Sequence, residues 1–258
     1  MTEPILDVRG LDKTFGAVRA CDGVTLALDP GELHAVIGPN GAGKTTLIGQ
    51  LVGEITPDAG TVRFRGQDIT GLPAYARAAR GLARSFQITS LFPRLTALGN
   101  VALAVQAHAG HSFRFWRPAA REAALIDPAR TALAQVGLAD RAGIRAGALA
   151  HGEQRQLEIA MALATEPRLL LLDEPTAGMG IEESARMIAL LAGLKGRVAI
   201  LLVEHDMDAV FALADRITVM VYGRVIATGT PREIRADAEV RRAYLGDEEV
   251  GGAGEAAP

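Results

Sequence analysis

Apolar and polar positions change rhythm along this chain, and each rhythm predicts a different element. Ile5–Arg9 and Val24–Leu28 alternate, as half-buried strands do. Asp29-Pro30-Gly31 is a turn signal leading into the apolar run Leu33–Ile37, a loop and a helix follow, and Gly60–Arg65 alternates again. From Ala74 to Ala164 the pattern is alanine-rich and mostly helical. Leu169–Leu172 is a continuous apolar run of buried-strand type, closed by Asp173-Glu174-Pro175. A helix over about Glu182–Leu194 leads to a second buried strand, Val198–Val203. A helix (Met207–Ala214), a strand (Arg216–Met220) and a short strand (Gly223–Ala227) follow. Strands separated by helices predict a parallel sheet covered on both faces, and helices gathered in the middle predict a helical insert. Asp247–Pro258 is glycine- and acid-rich and is expected to fray. No internal repeat is visible.

Composition narrows the class. The chain has 258 residues, long for one domain but within the α/β range. With 49% hydrophobic and 22% charged residues it reads as globular over most of its length. A net charge of −3 gives no reason to expect nucleic-acid binding. Cys21 is the single cysteine, which excludes an internal disulfide framework and fits a reducing compartment. Met1-Thr2-Glu3-Pro4 carries an acid and a proline where a signal peptide needs basic and apolar residues. The longest apolar candidate, Met187–Val203, is broken by Lys195, Gly196 and Arg197, so no spanning helix is expected. The expectation is a cytosolic chain that reaches a membrane only through a partner.

Two segments carry phosphate chemistry. Gly38-Pro39-Asn40-Gly41-Ala42-Gly43-Lys44-Thr45 fits the pattern G-x-x-x-x-G-K-[ST], with a buried-type strand entering and a helix, Thr46–Val52, leaving. Glycines let backbone N–H groups converge on one concavity, and the helix N-terminus adds its positive dipole end. Lys44 supplies charge for the outer phosphates, and the Thr45 hydroxyl suits Mg²⁺. An accidental glycine-rich turn is the bland alternative, and eight matched positions with correct flanks weigh against it. Asp173 and Glu174 close a buried strand, and in parallel sheets ligands sit outside the carboxyl ends of the strands. Asp173 is placed to act on Mg²⁺ through its water shell, and Glu174 to face an attacking water as base or orienter. Standing alone, the pair would read as a solvated turn before a proline.

These segments resemble those of ABC-transporter ATPases, from about residue 5 to 246. The resemblance implies an α/β fold: a P-loop NTPase core with a mostly parallel sheet, an N-terminal antiparallel β subdomain and an inserted helical subdomain. Its expected bounds are a core of about 5–86 and 165–235, a helical insert of about 88–164, and a flexible tail over 247–258. It implies ATP binding by Phe15, whose ring would stack on adenine, and by Gly38, Pro39, Asn40, Gly41, Ala42, Gly43, Lys44, Thr45 and Thr46. Gln87, in Arg84-Ser85-Phe86-Gln87, matches a glutamine that senses Mg²⁺ and water. Mg²⁺ is then expected on Thr45, Gln87 and Asp173, with Glu174, His205 and Gln87 as catalytic residues. His205, in Val203-Glu204-His205-Asp206, resembles a switch histidine contacting the γ-phosphate. Singly, Phe15 reads as core, Gln87 as surface and His205 as a loop histidine, and their order between the two phosphate segments changes that.

Leu149-Ala150-His151-Gly152-Glu153-Gln154-Arg155 occupies the place of the family signature Leu-Ser-Gly-Gly-Gln. Gly152 is expected just ahead of a helix, Glu153–Ala164, whose N-terminal N–H groups are free for a phosphate. In the family this end, here Ala150, His151, Gly152 and Glu153, faces the ATP of an opposite chain. The resemblance therefore implies a second ABC ATPase chain, two membrane-spanning permease chains and, indirectly, a solute-binding protein. It places the chain peripherally on the cytoplasmic face of the membrane. Two departures stand out: Ala150 replaces the signature serine, and Ala177-Gly178-Met179-Gly180 has Gly180 where an aspartate is usual.

The chain is most similar to the larger ATPase subunit of branched-chain amino-acid importers. The residues are Thr14-Phe15-Gly16 with Ala20, Phe86-Gln87 with Leu91-Phe92-Pro93-Arg94-Leu95-Thr96, Gln156-Leu157-Glu158-Ile159-Ala160, Val203 to Met207, and Arg242-Ala243-Tyr244-Leu245-Gly246. About Gln106 to Ile126 resembles an insertion of this subunit. Related members serve importers of urea, amides and aromatic acids, so these residues do not fix the solute. Alternatives are the ATPase of a lipopolysaccharide-type exporter, a non-transport ABC ATPase, and a nucleotide-binding regulator without hydrolysis. Within the insertion, His111-Ser112-Phe113-Arg114-Phe115-Trp116-Arg117 interleaves aromatics with arginines. A nucleic-acid or membrane patch is one reading. A loop that tucks its aromatics onto the helical subdomain is favoured, since stacking platforms come with a wider basic groove, and no nucleic-acid partner is expected.

Overall fold

Two strands open the computed structural model, which describes residues 3–84, 91–109 and 122–244. β1 (Leu6–Phe15) and β2 (Val18–Leu28) pair antiparallel across a two-residue turn that begins with Gly16 at φ 58. β1 thus runs six residues beyond the expected end at Arg9. Register shifts against β2 between Val8 and Leu11, and again near Lys13, bend the strand and break its alternation, which hides the extension from a period-2 reading. β4 (Ala59–Phe64) and the short β5 (Gln67–Asp68) complete an antiparallel sheet of order β2-β1-β4-β5.

A second sheet has the order β10-β9-β3-β8-β7-β6. β3 (Leu33–Ile37), β7 (Leu169–Asp173), β8 (Ala199–Val203), β9 (Arg216–Val221) and β6 (Leu82–Arg84) pair parallel, and β10 (Arg224–Gly229) adds an antiparallel edge. The unbroken leucines of β7 follow from burial on both faces. Leu170 and Leu172 join one apolar core with Ile200 and Leu202, while Leu169 and Leu171 join the other with Leu201 and Val203.

α1 (Lys44–Val52) leaves β3 and packs into the second core through Leu47, Ile48, Leu51 and Val52. Its C-terminal carbonyls are held by Arg77, a buried guanidinium in α2 (Ala74–Ala78). Nη1 donates to the carbonyls of Gln50 and Leu51, Nε to Leu72 and Nη2 to Thr70, so a cation is spread over the end of the helix dipole. On the opposite face α3 (Ala97–His108), α4 (Ala123–Gln135) and α5 (His151–Leu163) pack on one another, and α5 also meets α6 (Ile181–Leu194). α7 (Met207–Leu213), α8 (Pro231–Ala236) and α9 (Ala238–Tyr244) follow the last strands.

Three further sequence expectations change. The stretch 74–164, read as mostly helical, holds strand β6, whose three residues are too few to show a period. The helix expected from Glu153 starts at His151, so Gly152 lies within its first turn. α8 and α9 were not expected, although Thr230-Pro231 with Glu233 is a helix-start signal: the Thr230 hydroxyl accepts from Glu233 N, and Glu233 Oε2 accepts from Thr230 N at 2.7 Å.

Candidate nucleotide site

The loop 38–45 is fixed by backbone on two sides. Ala42 O accepts from Gly223 N at 3.0 Å, and Asp22 N donates to Gly223 O at 2.8 Å, so the β9–β10 turn and β2 brace the loop together. A Cβ on Gly38 would meet Met220 O at 2.1 Å, and one on Gly43, at φ 100, would meet Ala20 O at 2.1 Å. Only glycine fits at these two places. Gly43 caps α1 with no side chain occupying the free N–H groups, and no acid stands in the first turn. Pro39, Asn40, Gly41 and Thr45 are exposed at this helix end, while Thr46 is half-buried.

The Lys44 ammonium folds back and donates to Gly38 O at 2.6 Å and Pro39 O at 3.0 Å. Burial lowers its pKa, and Glu174 and Asp173 pull the other way. Loop, Asp173 and Glu174 therefore share one electrostatic site at the carboxyl ends of β3 and β7. Asp173 is 3% exposed, with Arg84 Nη2 at 3.3 Å. Its carboxyl is pushed above the ordinary range by burial, against Arg84. Arg84, at the end of β6, also donates to Glu54. Sequence reading named Arg84 only as a flank of Gln87, and the missed signal was a cation at the carboxyl end of a strand beside the site.

Glu174 sits in the left-handed region at φ 48, a conformation that non-glycine residues hold at a cost. Its N–H donates to Val203 O at 2.8 Å, tying it to the end of β8. There His205 follows, with Nδ1 3.7 Å from Glu174 Oε1. Glu204 is buried, and its Oε2 lies 3.7 Å from the same Nδ1. Phe15 ends β1 half exposed, with Lys13 Nζ 5.4 Å from its ring centroid. Gln87 and the aromatic segment 111–117 lie outside the described residues.

Ala150–Glu153 belong to a different place. Ala150 is the N-cap of α5 and has no side-chain acceptor for the first N–H groups. Glu153 reaches back, with Oε2 accepting from Ala150 N at 3.0 Å and Oε1 from Arg141 Nε at 3.0 Å. The Gln154 amide donates to Leu149 O at 3.1 Å and Ala146 O at 3.3 Å, so it is already engaged. The His151 ring lies against Gly178, where a Cβ would come 3.7 Å from its Cε1. A cleft of about 850 Å³ opens beside this helix end, lined by Ala150, Gly152, Glu153, Arg141, Glu183 and Arg186 among others.

A phosphate-type loop, two carboxylates at strand ends and a histidine against one of them define a nucleotide-hydrolysing arrangement. Comparison fixes the family. The ABC transporter family matches residues 21–177, more than half of the chain, and the family described as branched-chain amino acid ATP-binding cassette transporter matches 224–250. The chain belongs to the ABC transporter family. This ATP-hydrolysing cassette is 41% identical over 254 residues to the high-affinity branched-chain amino acid transport ATP-binding protein BraF of Pseudomonas aeruginosa, covering 96% of this chain and 100% of BraF. The same figures hold for LivG of Escherichia coli strain K12, a protein of the same description. Among solved structures, the ADP conformation of MJ1267, an ATP-binding cassette of an ABC transporter, aligns with TM-score 0.84 and 29% identity over 95% of the cassette and 100% of that chain. Among the described residues of the cassette no helix is long and apolar enough to cross a membrane.

Proposed function

We propose that this chain binds Mg²⁺-ATP and hydrolyses it to drive an importer of branched-chain amino acids or related small polar or amide solutes. The reading pairs it with a second ABC ATPase chain beneath two membrane-spanning permease chains, at the cytoplasmic face, with a solute-binding protein upstream and no nucleic acid. The solute class rests on the similarity to BraF and LivG, which are branched-chain amino acid transport ATP-binding proteins, and on the match over 224–250. The proposed division is a cassette over 5–246, with core 5–86 and 165–235, insert 88–164 and a tail over 247–258.

Glu174 beside His205, at the strand ends where Lys44 also points, carries the hydrolytic reading. In it, Lys44 exchanges the carbonyls of Gly38 and Pro39 for the outer phosphates. Backbone N–H groups of Gly41 to Lys44 cradle the chain of phosphates, and Phe15 stacks on the base. Glu174 takes or orients the proton of the attacking water, and His205 holds the γ-phosphate side of the same space. The residues suit a metal: Asp173 is a buried carboxylate whose ionised form burial disfavours, and Thr45 offers a hydroxyl at the start of α1. Magnesium is held by one or two such oxygens together with substrate phosphates, and when bound it neutralises charge on the phosphoryl group. Thr45, Asp173 and Gln87 would hold it. Ala150, His151, Gly152 and Glu153 present the α5 N-terminus to the ATP of the opposite chain.

Glu174→Gln tests the assignment. It keeps the hydrogen-bonding shape and removes the base, so ATP binding persists while turnover falls about 10²-fold or more and an ATP-bound dimer accumulates. Turnover at the wild-type rate in the assembled transporter removes Glu174 from its role.

A further inference from the structure

Glu204 is a buried carboxylate for which the hydrolytic reading has no use. It is 1% exposed, at the carboxyl end of β8. Its two oxygens face different segments. Oε1 accepts from Thr176 N at 2.9 Å and also from the Thr176 hydroxyl. Oε2 accepts from His205 N at 3.1 Å and lies 3.7 Å from His205 Nδ1. Thr176 stands two residues after Glu174 and directly before Ala177-Gly178-Met179-Gly180. The carboxylate therefore joins the turn that carries the water-facing Glu174 to the loop that carries His205. Burying a carboxylate is costly unless its lone pairs are satisfied, and here backbone donors and a hydroxyl satisfy them. Those donors come from two chain segments, and Thr176 lies 28 residues before the carboxylate it binds. A purely structural anchor in this place could be an apolar side chain, which leaves no buried charge to satisfy. The left-handed backbone at Glu174 needs support from its surroundings, and Thr176 bound to Glu204 supplies it two residues on.

We propose that Glu204 is a positioning residue for hydrolysis, a carboxylate that locks His205 against Glu174 by binding Thr176 with one oxygen and the His205 backbone with the other. The proposal rests on the hydrolytic reading of Glu174 and His205. Because the segment 177–180 continues from Thr176, displacement of that loop is passed to His205 through one side chain.

The test is a double-mutant cycle in the assembled transporter, with steady-state hydrolysis measured over a range of ATP concentrations. Glu204→Gln keeps an oxygen for Thr176 and turns an amide donor toward the His205 N–H. The expected result is a fall in kcat of about tenfold, the size of one lost hydrogen bond to a charged group, with KM for ATP unchanged. In the His205→Ala background the same substitution has no further effect. Thr176→Ala, which removes the hydroxyl donor to Oε1 while keeping the backbone N–H bond and Glu204 itself, loosens the link from the other side. It moves the His205 ring resonances in the isolated chain and leaves those of His34 where they were. Full kcat in Glu204→Gln, an equal fall in both backgrounds, or unmoved His205 resonances in Thr176→Ala would overturn the proposal. If His205→Ala and Glu174→Gln themselves leave turnover intact, the hydrolytic reading has failed, separately from Glu204.

Discussion

The N-termini of α1 and α5 are both read as phosphate sites, and they are built in opposite ways. α1 begins at a left-handed glycine with no acid in its first turn, and its position is set by backbone of β2 and of the β9–β10 turn. α5 begins at an extended alanine with Glu153 in its first turn, held by Ala150 N and by Arg141. A carboxylate there complements the helix dipole and stabilises the end without any phosphate. The α1 end has no such substitute and is left open by its own chain. The contrast teaches that the first site is shaped for a ligand by its surroundings, while the second already carries a carboxylate of its own chain at the dipole end. In the proposed pairing it becomes a site only when the opposite chain brings a nucleotide.

Gly43→Ala attacks the first site and has the largest expected effect. The added Cβ lies 2.1 Å from Ala20 O, a backbone atom, and φ 100 is closed to alanine. The loop must leave its place at a cost of about 1–3 kcal/mol, roughly 5- to 150-fold in nucleotide affinity. Calorimetric titration of the isolated chain with ATP checks it. Wild-type affinity would mean that backbone contacts do not set the loop.

Legibility in the sequence follows the same contrast. β3 and β7 could be read almost to the residue, because an apolar run ending in Gly38 or in Asp173-Glu174 has one sensible fold. The loop needs no partner to declare itself. β6 was lost inside an alanine-rich stretch, and β1 was cut short where its register slips. That Lys44 and Glu174 meet at the strand ends was legible from residue type and spacing. Glu204 and Thr176 were not, since a carboxylate bridging two loops shows no pattern until the loops are folded together.

Ala150→Ser sharpens the second half of the comparison. A serine there caps α5 in the free chain, worth about 1 kcal/mol, and raises Tm by roughly 2–4 °C. In the assembled pair its hydroxyl also donates to the opposite chain's γ-phosphate. A hydrogen bond to a charged group contributes about 1.5–3 kcal/mol, so affinity rises about tenfold or more and the ATP-bound dimer lives longer. The Gln154 amide, bound to Leu149 O and Ala146 O, is not available to replace that hydroxyl. If Tm rises and affinity does not, His151 already fills the role, and the two sites of the pair are not made unequal by Ala150.

Gly152→Ala has the smallest expected effect on the free chain, and it separates what each helix end owes to its own fold. Unlike Gly43, Gly152 has no positive φ, and its added Cβ would meet Glu183 Oε1 at 2.8 Å and Cδ at 3.0 Å. That is the far end of a flexible side chain whose hydrogen bond from Gly180 N is long at 3.3 Å. Glu183 can swing away at little cost, and alanine in a helix is about 1 kcal/mol better than glycine. The two terms nearly cancel, so Tm of the isolated chain stays within about 4 °C of wild type and its ATP affinity is unchanged. A fall of more than about 8 °C would mean that this chain's own packing demands the glycine, as at Gly43. Stability at the wild-type level places no demand for the glycine in this chain's own packing, and leaves it to the proposed pairing, in which a methyl group would stand between the α5 N–H groups and the opposite chain's phosphate.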